Sequence, residues 1–148
     1  MTSQQAISFR SATRQDYDFA WRLYSTTIRD ITEALIGWNE IKQSASFADQ
    51  WRPEEVRVIV ADGIDIGWLQ TALVSDTVFL KQLYIDPSCQ RMGIGTWVMG
   101  IVIAEASKKH MPVALAVMKN NPAQRLYNRL GFLITHTDRY KFYMQRNP

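Results

Sequence analysis

The chain contains few of the residues that build disulfide frameworks and metal centres. Its 148 residues include one cysteine and two histidines. A single cysteine cannot form an intramolecular disulfide, and no Cys/His cluster shows the spacing of zinc ligands. The sequence therefore predicts no structural disulfide and no metal site, and its cysteine usage favours a cytoplasmic protein.

Long apolar segments are also missing. The longest, Trp97 to Ala104, is well short of the roughly 18 residues that a membrane-spanning helix needs. The first ten residues, MTSQQAISFR, contain no apolar stretch typical of a signal peptide, so we expect none. We accordingly expect no membrane partner.

Strong charge of either sign is the third absence. The formal net charge is +3, and no run of consecutive basic residues exceeds two. The sequence pI of about 9.1 suits an anionic ligand. The hypothesis of a nucleic-acid-binding domain has only this pI in its favour. It predicts steeply salt-dependent DNA binding, which we do not expect, so we expect no nucleic-acid partner.

What remains is an ordinary globular composition, 47% hydrophobic and 21% charged, which predicts a single domain over residues 1–148. Residue periodicity changes several times along it. Strands are predicted at 6–10, 56–61, 64–74, 77–85, 113–118, 132–137 and 140–145, and helices from Thr13 onward, at 39–50, at 96–109 and at 123–130. This order, β-α-α-β-β-β-α-β-α-β-β, predicts an α/β domain with a mixed sheet.

The stretch PSCQRMGIG, residues 87–95, joins a predicted strand to a predicted helix. The first amides of a helix have no intrahelical partner, so a glycine-containing turn at this place predicts an anion site. A P-loop would need a Gly-Lys pair, which the chain does not contain. A dinucleotide fingerprint would need a third small residue at position 98 and an acidic residue near position 118. Position 98 is valine and no acidic residue lies near position 118, so this pattern does not fit either.

A third phosphate-binding pattern fits. Gln90 to Gly95 resembles the Q/R-x-x-G-x-G/A signature of the GCN5-related N-acetyltransferases (GNATs). Leu80 to Pro87 is similar to the central strand of that family, and Asn120 to Phe132 to its second signature, N-x-x-A-x-x-L-Y-x-x-x-G-F. The two signatures occur in the family's order, and the predicted elements match its fold over almost the whole chain.

This resemblance implies a single-domain GNAT-like fold. Its central sheet is twisted, mixed and mostly antiparallel, with about seven strands flanked by about four helices. The fourth strand carries a bulge and splays from the fifth, which opens a slot for the pantetheine arm. The resemblance also implies a homodimer that pairs through the C-terminal strands.

The implied activity is transfer of an acetyl or other acyl group from acetyl-CoA (coenzyme A) to a primary amine. The acceptor is a small-molecule or peptide amine, attacked directly in a ternary complex. Backbone amides from Arg91 to Thr96 would hold the pyrophosphate, and Arg91 would pair with a phosphate. The cofactor-binding residues implied are Leu83, Tyr84, Ile85, Gln90, Arg91, Met92, Gly93, Ile94, Gly95, Thr96, Asn120, Asn121, Ala123 and Tyr127.

Within this set, glycine at positions 93 and 95 is expected because the backbone approaches the ligand closely. The doubled asparagine leaves two registers for the cofactor contact, with Asn121 slightly favoured over Asn120. Tyr127 matches the family position that protonates the departing thiolate.

The general base and the acceptor pocket are less well marked. Some family members place a carboxylate near the position of Phe79, but no acid occurs from Thr77 to Ile85. Glu40 and Glu33 are the alternatives on the first helices, with catalysis through water or binding of the free amine as further routes. Candidate acceptor-pocket residues are Tyr24, Glu33, Trp38 and Trp68. A catalytically idle module that only binds or senses acyl-CoA is the alternative function.

Overall fold

The computed structural model describes residues 6–90 and 92–148. Seven strands and four helices follow in the predicted order. The strands are β1 (Ile7–Ser11), β2 (Val56–Ala61), β3 (Ile64–Val74), β4 (Thr77–Ile85), β5 (Val113–Met118), β6 (Leu133–Thr137) and β7 (Lys141–Arg146). The helices are α1 (Tyr17–Ile36), α2 (Glu40–Gln50), α3 (Ile94–Lys108) and α4 (Gln124–Arg129).

Local sequence signals set the ends of these helices. A 3₁₀ turn at Arg14–Asp16, capped by Thr13, precedes α1, so this helix begins slightly later than predicted. Gly37 ends α1 with a φ of 82°, a backbone conformation that costs glycine little. Asn39 then caps α2, its side chain accepting a hydrogen bond from the Lys42 amide.

All seven strands form one sheet in the order β1-β2-β3-β4-β5-β7-β6. Neighbouring strands are antiparallel except β4 and β5, which are parallel. The predicted mixed, mostly antiparallel sheet of seven strands with four helices is therefore confirmed. None of the helices in the described part of the chain has the length and apolarity to cross a bilayer.

Each face of the sheet carries its own core. On one face α3 packs against the strands with Val98, Met99 and Val102 fully buried. On the other face α1 and α2 enclose an aromatic cluster centred on Phe47 and Trp68. Burial of α3 is less complete than its apolar sequence suggests, because Gly100 and Ala104 are exposed.

A β-bulge in β4 decides which side chains face each core. Gln70 of β3 pairs with Gln82, but the next residue, Thr71, pairs with Leu80, so Lys81 is an extra residue. One inserted residue exchanges the two faces of the strand beyond it. As a result Leu83 joins Leu80 in the α3 core, and Tyr84 turns toward α1 and α2.

The same region separates the two parallel strands. Pairing between β4 and β5 is confined to Val78–Leu80 against Val113–Leu115. Beyond Leu80, β4 continues to Ile85 along β3, while β5 continues to Met118 along β7. The predicted splay between the fourth and fifth strands therefore begins at the bulge.

Candidate active site

The splay opens into a cleft of about 340 Å³ that reaches between the sheet and the first two helices. Its walls are β4 from Leu80 to Tyr84, β5 from Leu115 to Met118, and parts of α1 and α2. Asn121, Ala123 and Tyr127 line it from the segment after β5. The cleft therefore brings together residues that lie far apart in the sequence, from Tyr24 to Lys141.

The backbone of β4 presents hydrogen-bonding groups to this opening, one of which, the Ile85 carbonyl, accepts a hydrogen bond from Gln90 Nε2 (3.1 Å). The Asp86 amide donates to the Ile66 carbonyl of β3 (2.7 Å). Because peptide groups alternate in direction along a strand, Gln82 and Tyr84 also face β3. The amides and carbonyls of Leu83 and Ile85 therefore face away from β3, toward the slot.

Helix α3 begins at the end of this strand with uncapped amides. Gly93, its N-cap residue, has φ 77°, and no side chain caps the helix. The first intrahelical bond joins the Trp97 amide to the Gly93 carbonyl (3.0 Å). Within the described residues, the amides of Ile94, Gly95 and Thr96 meet no acceptor, so they can bind an external one at the positive end of the helix dipole.

The two glycines of this loop are required for different reasons. At Gly93 a Cβ atom would meet nothing within 4 Å, so the left-handed φ is what requires glycine. At Gly95 a Cβ atom would lie 3.2 Å from Leu126 Cδ2 and 3.6 Å from Ile85 Cδ1. This glycine therefore lets α3 pack against α4, and the expectation that Gly95 also permits close approach to a ligand stays a prediction.

The rest of the predicted phosphate loop divides into core and surface. Ile94 is buried in the α3 core, whereas Met92 and Thr96 are exposed. Gln90 donates from Nε2 to the Ile85 carbonyl (3.1 Å) and so closes the loop onto the end of β4. Arg91, the predicted phosphate partner, lies outside the described residues.

Tyr127 reaches the cleft from α4 through the α3 core. Its side chain is 7% exposed and packs edge-on against Phe132, with ring centroids 5.8 Å apart. Burial raises the pKa of its phenol to about 12. The group consequently keeps its proton at any physiological pH while remaining at the cleft wall.

The two adjacent asparagines point in different directions. Asn120 is exposed and donates from Nδ2 to the Ile31 carbonyl (2.9 Å), which ties the segment after β5 to α1. Asn121 lines the cleft, and its Oδ1 accepts a hydrogen bond from the Ala123 amide (2.9 Å). The Asn121 Nδ2 group is the one in position to meet a ligand in the cleft.

Tyrosine and amide side chains form the wall toward α1 and α2. Tyr24 and Tyr84 meet edge to face at 5.4 Å between ring centroids. Tyr24 donates to Gln43 Oε1 (3.0 Å) and Tyr84 to Gln82 Oε1 (2.6 Å). Burial raises the pKa of both phenols, and Tyr24 and Tyr127 raise that of Tyr84 further. Tyr24, predicted to line the acceptor pocket, thus lines the cleft.

The other four acceptor-side predictions, Glu33, Trp38, Glu40 and Trp68, lie outside the cleft wall. Trp68 is 0% exposed and donates from Nε1 to the Ala20 carbonyl, so it cannot contact an acceptor. Glu33 accepts a hydrogen bond from the Trp38 amide, and Glu40 accepts one from Trp38 Nε1 (2.6 Å). These groups order the turn between α1 and α2, and Glu40 does not reach the cleft as a general base would.

Sequence reasoning missed the charged residues of the cleft. Lys81, the bulge residue, and Lys141, at the start of β7, both line it. Lys81 Nζ is 2.9 Å from Glu55 Oε1, which also accepts from the buried Gln70 (2.8 Å). Burial opposes ionisation of Glu55, but these hydrogen bonds outweigh it and lower the pKa of the carboxyl.

Solved structures with the same fold include several acetyltransferases. The chain is 18% identical to the PaiA N-acetyltransferase of Thermoplasma acidophilum, solved with coenzyme A, with TM-score 0.77 over 97% of this chain and 99% of that one. It is 22% identical to Ard1 of Thermoplasma volcanium, with TM-score 0.69 over 96% and 97%. It is 20% identical to the ribosomal-protein-S18-alanine N-acetyltransferase of Escherichia coli, with TM-score 0.67 over 96% and 94%.

Sequence comparison supplies the family. Among curated proteins, none matches the chain. The sequence model of the acetyltransferase (GNAT) family, however, matches residues 10–132, which include the bulged strand, the glycine loop and Tyr127. The protein therefore belongs to the GNAT acetyltransferase family.

Proposed function

We propose that the protein is an N-acetyltransferase that moves an acetyl group from acetyl-CoA to a primary amine in a ternary complex. The observation that carries the proposal is the position of Tyr127, a protonated and buried phenol at the wall of the slot between β4 and β5. Release of free thiol from acetyl-CoA with a panel of amines, with mass detection of the acetylated product, tests it.

The residues present fit the cofactor. Uncapped amides at the start of α3 suit a pyrophosphate, and the space in front of Gly93 is open. The amide and carbonyl of Leu83 and the amide of Ile85 are turned to the slot, where an amide-containing arm can pair with them as a strand would. Bound there, acetyl-CoA supplies an activated acyl thioester. Asn121 adds a side-chain amide at the same wall.

Protein groups can assist at both ends of the reacting bond. An amide of Leu83 or Ile85 donates a hydrogen bond to the thioester carbonyl oxygen, where negative charge develops. Tyr127 would donate its Oη proton to the departing sulfur, and the proton that the attacking nitrogen loses as the amide forms would return to the phenolate, directly or through solvent. A thiol with a pKa near ~8.5 leaves as an anion, and a phenol that keeps its proton to higher pH can neutralise it.

The described part of the cleft wall offers no carboxylate to deprotonate the amine. Among the described residues that line it, none is Asp, Glu or His. Glu40, the predicted base, is turned to Trp38, and Glu55 is held by Lys81 and Gln70. We therefore propose that the acceptor binds as the free amine, which loses its proton to solvent before it reacts.

This route predicts a pH dependence set by the acceptor. For each amine, kcat/KM should rise about tenfold per pH unit and level off at the pKa of that amine, near ~8 for an α-amine and ~10 for an alkylamine. Tyr127 should cause no decline below about pH 11, because its pKa is about 12. Profiles for two acceptors of different pKa measure this. An inflection near pH 6 to 7 shared by both acceptors would instead reveal a base on the enzyme.

The asparagine pair provides a test of the cofactor site. Asn121→Ala should weaken coenzyme A binding about 5- to 10-fold, the loss expected for a hydrogen bond worth about 1 kcal/mol. Asn120→Ala is the matched control, because it removes a bond to α1 and should change thermal stability but leave affinity unaltered. Calorimetric titration with coenzyme A measures both. Equal losses of affinity would contradict the assignment of Asn121.

A cofactor-sensing module without turnover is the second candidate. The absence of a carboxylate among the described cleft residues favours it, whereas the cleft position of Tyr127 argues for catalysis. Binding of acetyl-CoA without thiol release under any amine would establish this alternative.

We also propose that the protein works in the cytoplasm as a homodimer through its C-terminal strands. All five residues of β6, the strand at the sheet edge, are exposed, and Leu133 is 73% exposed. An unpaired edge with apolar side chains suits a second strand. Light scattering tests this, and a monomer at micromolar concentration would refute it.

A further inference from the structure

We infer that the acceptor is a small amine whose other end carries a carboxylate or similar oxyanion, and that Lys141 binds that end. The inference rests on the proposed N-acetyltransferase function and specifies its acceptor. It starts from the charges on the cleft walls. Among the described residues that line the cleft, the charged ones are Lys81 and Lys141, and both are cationic.

Lys81 is already neutralised. Its ammonium forms a salt bridge of 2.9 Å with Glu55, and Glu55 is fixed by a further hydrogen bond from Gln70. Gln70 is fully buried and also donates to the Gln50 carbonyl (3.0 Å), so the group is anchored to the end of α2. An incoming anion would have to compete with this carboxylate for Lys81.

Lys141 has no such partner within the described chain. The nearest acid along the sequence is Asp138, whose carboxylate accepts three hydrogen bonds. They come from the Tyr140 amide (2.9 Å), the Lys141 amide (2.7 Å) and the Tyr143 hydroxyl (2.7 Å). Asp138 is thereby committed to the turn before β7. The Lys141 charge contributes to lowering the pKa of Asp138, but the two groups form no salt bridge, so the Lys141 ammonium can still bind a ligand.

The position of Lys141 places this charge on the acceptor side. Its backbone pairs with Met118, the last residue of β5, on the side of the slot opposite β4. Met118 Sδ contacts Thr32 Oγ1 of α1 (3.9 Å), so this end of β5 adjoins the first helices. The start of α3, where the cofactor phosphates are proposed to bind, follows the far end of β4.

The other walls select against a second positive charge. Tyr24, Phe47 and Tyr84 supply aromatic surface, and the polar groups beside them are amides and hydroxyls, which carry no net charge. A diamine would bring its distal ammonium into a cleft whose described residues include a lysine without a salt bridge and no carboxylate, so like charges would repel. An amino acid reverses that interaction and gains a charge-assisted hydrogen bond.

Three acceptors of equal chain length test the inference: 5-aminopentanoate, pentylamine and 1,5-diaminopentane. The wild-type kcat/KM should be highest for the carboxylate, at least about tenfold above the diamine. Lys141→Gln should lower the ratio of the carboxylate to pentylamine about tenfold, and Lys141→Glu should invert the preference toward the diamine. Lys119→Gln is the matched control, because Lys119 lies over the Phe142 ring (5.6 Å), outside the cleft wall.

Each outcome of these measurements supports or overturns the role of Lys141. A diamine preferred by the wild type, or a Lys141→Gln effect equal for all three acceptors, overturns the inference. Weakened coenzyme A binding in Lys141→Gln, measured by calorimetry, would assign Lys141 to the cofactor and overturn it as well. Acidic and basic peptides are tested as additional acceptors. A higher kcat/KM for the acidic peptide than for every free amine would identify a protein chain as the source of the anion. If the cofactor binds but none of the amines causes thiol release, the proposed function itself is refuted.

Discussion

Replacing Tyr127 with phenylalanine should lower kcat at least about 100-fold and leave coenzyme A affinity within about twofold. Proton donation by a positioned side chain contributes about 10² to 10⁴ in rate. Without it the thiolate would leave as an anion in a cleft whose described lining at this point is the aliphatic end of β5. Because burial raises the pKa of the phenol to about 12, the proton is present over the whole working range.

The substitution is well suited to separate chemistry from packing. Phenylalanine keeps the ring that packs against Phe132, so the α3 core should be retained and thermal stability should change little. Tyr17→Phe is the control, because Tyr17 packs in the aromatic cluster on the opposite face and does not line the cleft. Single-turnover acetyl transfer and calorimetric titration provide the two readouts. Turnover equal to wild type in Tyr127→Phe would remove this residue from the acid role.

Element order was predictable because each signal is local. The turns Asp62-Gly63 and Ser75-Asp76 have φ values of 51°, 80°, 49° and 59°, and such turns connect adjacent antiparallel strands. Asn39 and Gly37 likewise mark helix ends through their own backbone preferences. The largest shift is at the start of α1, because a 3₁₀ turn follows Thr13 before the helix begins, and α3 begins two residues earlier than predicted.

The glycine loop contains one position, Gly95, with a packing constraint that the motif did not predict. Both Gly93 and Gly95 belong to the signature, yet only Gly93 has a positive φ. The constraint on Gly95 comes from Leu126, which is 31 residues further along the chain, and no local pattern predicts that contact. Trp68 is a similar case, because the sequence alone does not show whether an aromatic residue of a strand faces the core or the cleft, and the packing buries this one.

The charged residues of the cleft could not be predicted from the sequence either, because their positions also depend on contacts between distant parts of the chain. Lys81 meets Glu55 across 26 positions, and its place in the cleft follows from the bulge. Lys141 reaches the cleft because β7 inserts between β5 and β6, so the last strand in the chain is not the edge of the sheet. Residues of this kind carry no motif, and their neighbours are fixed by topology.

The second large effect concerns Gly93, for which substitution by valine should weaken coenzyme A binding about 10- to 100-fold. With φ at 77°, this residue lies in the left-handed region, where a β-branched side chain is a strong outlier. Holding an L-residue there costs about 1–2 kcal/mol, and the added side chain projects into the open space in front of the α3 amides. Relaxing that strain would rotate the amides away from their common direction.

Three glycines around α3 make the test internally controlled. Gly100→Ala adds a methyl group on an exposed helix face with nothing within 4 Å, so it should raise stability by about 0.5–1 kcal/mol and leave cofactor affinity unaltered. Gly95→Ala should act mainly on stability, because its methyl group meets Leu126. Gly93→Val alone should lose affinity by more than its loss of stability explains, as measured by calorimetry beside thermal unfolding. If Gly93→Val binds coenzyme A as tightly as Gly100→Ala does, the start of α3 is not the pyrophosphate site.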